Sequence, residues 1–106
     1  MNYATLSIVI PVYNEERTLV EILDKIGTVK LIGGLVKELV IVNDCSTDTT
    51  ENIIKEYIST HDKVQISYVA HSVNKGKGAA LSTGIKESKG EIIIIQDADL
   101  EYDPHE

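Results

Sequence analysis

Two carboxylates offer the clearest chemistry in this chain. Asp97 and Asp99 flank Ala98, directly after the four isoleucines Ile92 to Ile95 and Gln96. A buried strand ending there would deliver both acids to a sheet edge as hard oxygen donors, the type that holds Mg²⁺ or Mn²⁺. A cation so held would neutralise a diphosphate and stabilise it as a leaving group. An Asp-x-Asp alone reads more simply as a solvated acidic turn, and the isoleucine run before it brings the ligand reading level. Asp97, Asp99, Glu101 and Asp103 also mimic the odd positions of a calcium loop, but Tyr102 stands where that loop needs glycine. A phosphatase nucleophile motif has two such aspartates after the first strand of its domain, usually followed by Thr or Val. This pair follows the fourth expected strand, and Leu100 comes next.

Three further segments could serve a phosphorylated ligand. Asn74-Lys75-Gly76-Lys77-Gly78 places lysines and glycines at an expected helix start, where backbone N–H groups can approach phosphate. It is not a P-loop, since Gly78 and not Ser or Thr follows Lys77. It is not a dinucleotide fingerprint, since Leu81 replaces the third glycine. A tight loop with solvated lysines is the plain alternative. Asp44, in Asn43-Asp44-Cys45-Ser46-Thr47-Asp48, could accept a hydrogen bond from a nucleobase edge; turn chemistry is the alternative, and it suits Asp48 better. In Pro11-Val12-Tyr13-Asn14-Glu15, Tyr13 could stack on a base and Glu15 could bond a ribose or base. Otherwise Asn14 caps a helix and Glu15 serves its dipole. Cys45, His61, His71 and His105 have no partners at catalytic spacing and read as a small loop residue and surface histidines.

These segments need a scaffold, and the apolar pattern supplies one. Thr5 to Ile10 is short and β-branched, reads as a buried strand, and is expected to end at Pro11. Leu19, Ile22, Leu23 and Ile26 follow at helical spacing after Asn14, and Gly27 or Gly33-Gly34 marks the stop. Val36 to Val42 is a second strand. Asp48 and Glu51 have capping-box spacing ahead of a helix carrying Ile53, Ile54, Tyr57 and Ile58. Val64 to Val69, a helix from Ala79 to Lys86, and a strand from Glu91 to Gln96 complete a βαβαβαβ order. Alternation of this kind implies a mostly parallel, Rossmann-like α/β sheet with right-handed crossovers. Ligands of such sheets bind at the carboxyl ends of the strands, near the switch in strand order, where all four polar segments fall. The last strand, left at an edge, would invite self-association.

Bulk properties narrow the partners. With 106 residues the chain suits a single small core, and its 42% apolar content argues against disorder. The core must be aliphatic, because there is no Phe or Trp. A net charge of −7 excludes a basic nucleic-acid face, so a phosphorylated ligand would need local lysines, a metal or helix N-termini. One cysteine excludes a disulfide framework and suits a reducing, cytoplasmic setting. No signal peptide is visible and no apolar run approaches the roughly 18 residues of a membrane span.

The chain resembles the family 2 glycosyltransferases of GT-A fold. The likeness rests on four ordered strings: Ser7 to Glu16, Val40 to Asp48, Asn74 to Ala80, and Gly90 to Pro104. They are closest to the branch of dolichyl-phosphate mannose and glucose synthases. Each string is weak alone, and their order and spacing carry the resemblance over nearly the whole chain. It implies that residues 1–106 are the N-terminal, nucleotide-sugar-binding part of such a domain. Pro11, Tyr13 and Glu15 would line the nucleoside pocket, Asp44 would contact the base, and Lys77 would lie near the diphosphate. Asp97 would sit at the nucleotide sugar and metal, with Asp99 the direct Mn²⁺ or Mg²⁺ ligand. The implied partners are a UDP- or GDP-sugar and a polyprenyl phosphate or glycan acceptor, and the whole enzyme would work at the cytoplasmic face of a membrane. The acceptor site and its general base would follow Glu106. Two positions depart from the family pattern: Cys45 replaces the usual glycine, and Glu101 replaces the Gln of some members. A sugar-nucleotide pyrophosphorylase would carry a glycine-rich signature after the first strand, and Pro11 to Glu15 is not one. A donor-binding module without transfer activity remains open.

Overall fold

In the computed structural model, residues 5–28 and 36–97 are described. Four strands and three helices alternate: β1 (Thr5–Val12), α1 (Leu19–Thr28), β2 (Val36–Asn43), α2 (Thr50–Thr60), β3 (Gln65–Ala70), α3 (Lys77–Glu87) and β4 (Ile92–Ile95). The strands form one parallel sheet in the order β3-β2-β1-β4. Three successive strands step outward in one direction, and the fourth returns to the far side of β1. The strand order therefore reverses between β1 and β4.

Period-two alternation along β1 and β2 sends side chains to two separate cores. Leu6, Ile8, Ile10 and Val12, with Leu39 and Ile41, pack under α1 and α2 against Leu19, Ile22, Leu23, Ile26, Ile54 and Tyr57. Val9, Val40 and Val42 pack under α3 against Ala80. That second layer is thin because α3 lies close to the sheet: a Cβ on Gly84 would collide with the Val9 side chain. On the same face Glu38 is fully buried. Its Oε2 accepts from Ser7 Oγ at 2.6 Å and from Lys89 N at 3.1 Å, so the acid is satisfied by neutral donors.

Three expected boundaries move for identifiable reasons. Pro11 does not end β1, which runs on to Val12. Val9 C=O accepts from Gln96 N and Val12 C=O accepts from Asp44 N, so odd residues of β1 face β4 and even ones face β2. The N–H that proline lacks thus points past the end of β4, where the ladder loses little. Asn14 does not cap α1, which starts at Leu19. Asn14 has φ 51°, and its Oδ1 accepts from Thr47 N at 2.7 Å, tying the β1–α1 loop to the β2–α2 loop. The expected capping box at α2 does not form: Thr49 is the N-cap, Asp48 Oδ1 accepts from Thr50 N at 2.9 Å in a local turn ahead of the helix, and Glu51 pairs with Lys55 one turn on.

The edge expected at β4 is present among the described residues. Ile92, Ile93, Ile94 and Ile95 are each 39–50% exposed, on both faces of the strand. No helix among the described residues is long and apolar enough to cross a membrane.

Candidate functional site

Side chains from the ends of three strands and the start of α3 enclose a cavity of about 380 Å³. It lies at the carboxyl ends of the strands, where the β1/β4 reversal leaves a crevice. Pro11, Val12, Tyr13 and Glu15 come from β1 and the loop after it; Asp44 comes from the end of β2. Asn74, Gly76, Lys77 and Ala80 come from the β3–α3 connection and helix, and Asp97 comes from the end of β4. All six residues expected to meet a nucleotide sugar (Pro11, Tyr13, Glu15, Asp44, Lys77 and Asp97) therefore line one cavity. Asp99 lies outside the described residues, as do Glu101 and His105.

Asp44 is buried at the floor, 3% exposed, and is held by the loop that follows β3. Its Oδ1 accepts from Lys75 N at 2.9 Å and meets His71 Nδ1 at 2.8 Å, while Oδ2 accepts from Gly76 N at 2.8 Å. Burial pushes the Asp44 carboxyl up, but hydrogen bonds from His71, Lys75 N and Gly76 N outweigh it. The group is held below the ordinary 3.8. Gly76 reaches this arrangement at φ 93°, a backbone conformation that side chains rarely adopt, and it directs the chain into α3. Cys45, where the family resemblance leads one to expect glycine, sits at φ 60°.

The histidine at this floor corrects the sequence-based expectation. His71 is not a surface residue: its side chain is 6% exposed, and its Nε2 lies 2.8 Å from Thr83 Oγ1 of α3. The pairing that buries it is tertiary. β2 and β3 pair up to Asn43↔Ala70, so Asp44 and His71 are the next residues along two neighbouring parallel strands. His61, by contrast, caps the C-terminal end of α2 and stacks on Tyr57, with ring centroids 3.8 Å apart.

The opposite wall is polar and open. Lys77 forms an ion pair with Asp97, and both side chains are about half exposed (59% and 47%). Glu15 stands between the two walls; it accepts from Thr18 Oγ1 at 3.2 Å, and its own N–H donates to Thr50 Oγ1 at 3.0 Å. Glu16 closes the latch outside it, accepting from Thr49 N at 3.0 Å. Among the described residues no group of three His, Cys, Asp or Glu converges as a closed metal cage. The donor at hand is a carboxylate at the mouth of a cavity that also carries a lysine. Such a set fits a hard divalent cation that takes most of its ligands from phosphate oxygens and water, as Mg²⁺ and Mn²⁺ do.

Comparison with known proteins places this geometry. Residues 7–106 match the sequence profile of glycosyl transferase family 2. The chain belongs to that family. Among curated relatives, it is 34% identical over 103 residues to the undecaprenyl-phosphate 4-deoxy-4-formamido-L-arabinose transferase of Proteus mirabilis, covering 95% of this chain and 31% of the relative. It is 33% identical over 99 residues to the dolichol-phosphate mannosyltransferase of Pyrococcus furiosus, covering 93% and 27%. Among solved structures, the mannosyltransferase PcManGT of Pyrobaculum calidifontis, in complex with GDP-Man and Mn²⁺, superposes with a TM-score of 0.82 at 31% identity over 92% of this chain and 28% of that one. Staphylococcus aureus TarS 1–349, in complex with UDP-GlcNAc, superposes with a TM-score of 0.78 at 28% identity, over 90% and 26%. The sheet and helices of this family 2 chain are thus those of GT-A glycosyltransferases. The chain spans about a third of the length of the curated relatives it matches.

Proposed function

We propose that this chain is the donor-binding part of an inverting, metal-dependent glycosyltransferase that moves a sugar from a UDP- or GDP-sugar to an acceptor, with a polyprenyl phosphate as the favoured acceptor. One observation carries this reading: the six residues assigned to a nucleotide sugar line a single cavity at the switch point of the sheet. Tyr13, 45% exposed at the rim, would stack on the base. Asp44 would accept from its edge, Glu15 would bond the ribose, and Lys77 would meet the diphosphate. Asp97 and Asp99 would hold Mn²⁺ or Mg²⁺, which supplies charge neutralisation for the departing diphosphate.

In the transfer, an acceptor oxygen attacks the anomeric carbon. The bond from that carbon to the diphosphate oxygen breaks, its electron pair leaves with the nucleoside diphosphate, and the sugar is inverted. Residues 1–106 are read as the N-terminal part of the GT-A domain. The acceptor site and general base are assigned to the rest of the longer proteins this chain matches, acting at the cytoplasmic face of a membrane. The open β4 edge supports the further reading that the 106-residue chain self-associates, which light scattering tests.

Calorimetry with UDP and GDP, with and without Mn²⁺, tests the donor site. Metal-dependent binding that is lost in Asp99→Asn is the expected result; equal affinity without metal and in that variant would count against it. Incubation of the 106-residue chain with labelled UDP-glucose or GDP-mannose, Mn²⁺ and a polyprenyl phosphate should give no glycolipid. Robust product would show that the active site is complete within it.

A further inference from the structure

The solved neighbours divide between guanine and uracil nucleotides, so likeness does not choose the base. The hydrogen bonds at Asp44 do. We propose that Asp44, held by His71, makes this cavity select a uracil base over guanine. The inference rests on the reading of the cavity as a nucleotide-sugar site.

An ionised carboxylate accepts only, and its two oxygens offer about four lone-pair positions. On Asp44 Oδ1 two are taken, by His71 Nδ1 at 2.8 Å and Lys75 N at 2.9 Å. On Oδ2 one is taken, by Gly76 N at 2.8 Å. Among the described residues a single acceptor position is left, on Oδ2 of a residue that lines the cavity. Guanine presents two adjacent donors, the ring N1–H and the exocyclic N2–H, and a carboxylate grips both only with both oxygens. Uracil presents one donor, the imide N3–H, which matches the single position. A guanine bound here would keep one donor desolvated and unmatched, the kind of defect that polar sites reject strongly.

His71 is the positioning residue in this selection. Facing a carboxylate, its Nδ1 must carry the hydrogen, and Thr83 Oγ1 lies 2.8 Å from Nε2 and holds the ring from α3. With its side chain 6% exposed, the ring cannot swing aside to free Oδ1. Replacing it with a residue that donates nothing would reopen a second acceptor position and admit guanine's second donor.

The test is calorimetry on the purified protein with Mn²⁺, using UDP, GDP and UDP methylated at N3 of the base. UDP should bind at least about tenfold tighter than GDP, and N3-methylation should cost roughly 10- to 100-fold, the scale of one hydrogen bond to a charged group. His71→Leu should narrow the UDP/GDP ratio to about threefold or less. His71→Gln, which keeps an N–H toward Asp44, should preserve it. That ratio is insensitive to a general loss of folded protein, and the N3-methyl probe needs no variant. GDP binding as tightly as UDP, or N3-methyl-UDP binding as well as UDP, would overturn the proposal while leaving the donor site standing. If neither nucleotide binds with Mn²⁺, the donor-site reading falls, and this inference with it.

Discussion

Asp44 and Asp97 are both carboxylates at the carboxyl ends of parallel strands, and both face one cavity, yet the fold treats them differently. Asp44 has three donors on it, two of them backbone N–H groups, and is buried. Asp97 is about half exposed and pairs with the similarly exposed head of Lys77. A saturated, buried carboxylate is part of the architecture: it shapes the pocket and has one position to offer. An exposed carboxylate paired with a lysine can be surrendered, because an exposed pair contributes little and a cation with a diphosphate can satisfy both partners. The same residue type therefore supplies selectivity on one wall and exchangeable charge on the other.

The sharpest way to break this contrast is truncation. Asp44→Ala should destabilise the protein by roughly 2–4 kcal/mol in urea unfolding, because it leaves two backbone N–H groups and His71 without their acceptor. If the midpoint hardly moves, Asp44 is no structural anchor. The next effect is on acid stability. Asp44 is held below 3.8, and Asp48 likewise, its burial outweighed by bonds from Thr50 and Glu16 N. Depressed carboxyls contribute stability that is full above their unfolded values and is lost as pH falls through the folded ones. Urea midpoints should hold down to about the ordinary 3.8 and fall below it; Asp48→Asn should flatten that fall.

Smaller still is Cys45→Gly. Cys45 sits at φ 60°, and glycine removes that strain while adding freedom to the unfolded chain, for a net gain of at most about 1 kcal/mol. A loss of stability would mean that its Sγ contact to Ser72 O matters more than the backbone. The smallest effect belongs to Asp97→Ala, which should shift stability by less than about 0.5 kcal/mol, as expected of an exposed pair. Its Mn²⁺-dependent UDP binding should nevertheless vanish in calorimetry.

The contrast also marks what the sequence makes legible. Element order and the six cavity residues follow from periodicity, strand-end placement and family likeness, because each of those signals is local. The saturation of Asp44 is not local. It depends on Lys75 and Gly76, about thirty residues away, and on a β2/β3 register that no single segment encodes. Glu38 is illegible for the same reason: a charged residue in a strand reads as solvent-facing until Ser7 and Lys89 close over it. Asn14 reads as a cap because its type suits one, and the competing bond to Thr47 is tertiary.

The four isoleucines of β4 give Asp97 a second task. A short β-branched run, exposed on both faces and bonded along one edge only among the described residues, is the composition from which cross-β stacking starts. Glu91 precedes it, and Gln96 and Asp97 follow it, so acidic gatekeepers bracket the run. Neutralising Asp97 removes one of them. Variants at this position should therefore lose soluble yield at high concentration even where the folded state is untouched, and binding assays on them need the monomer fraction measured alongside.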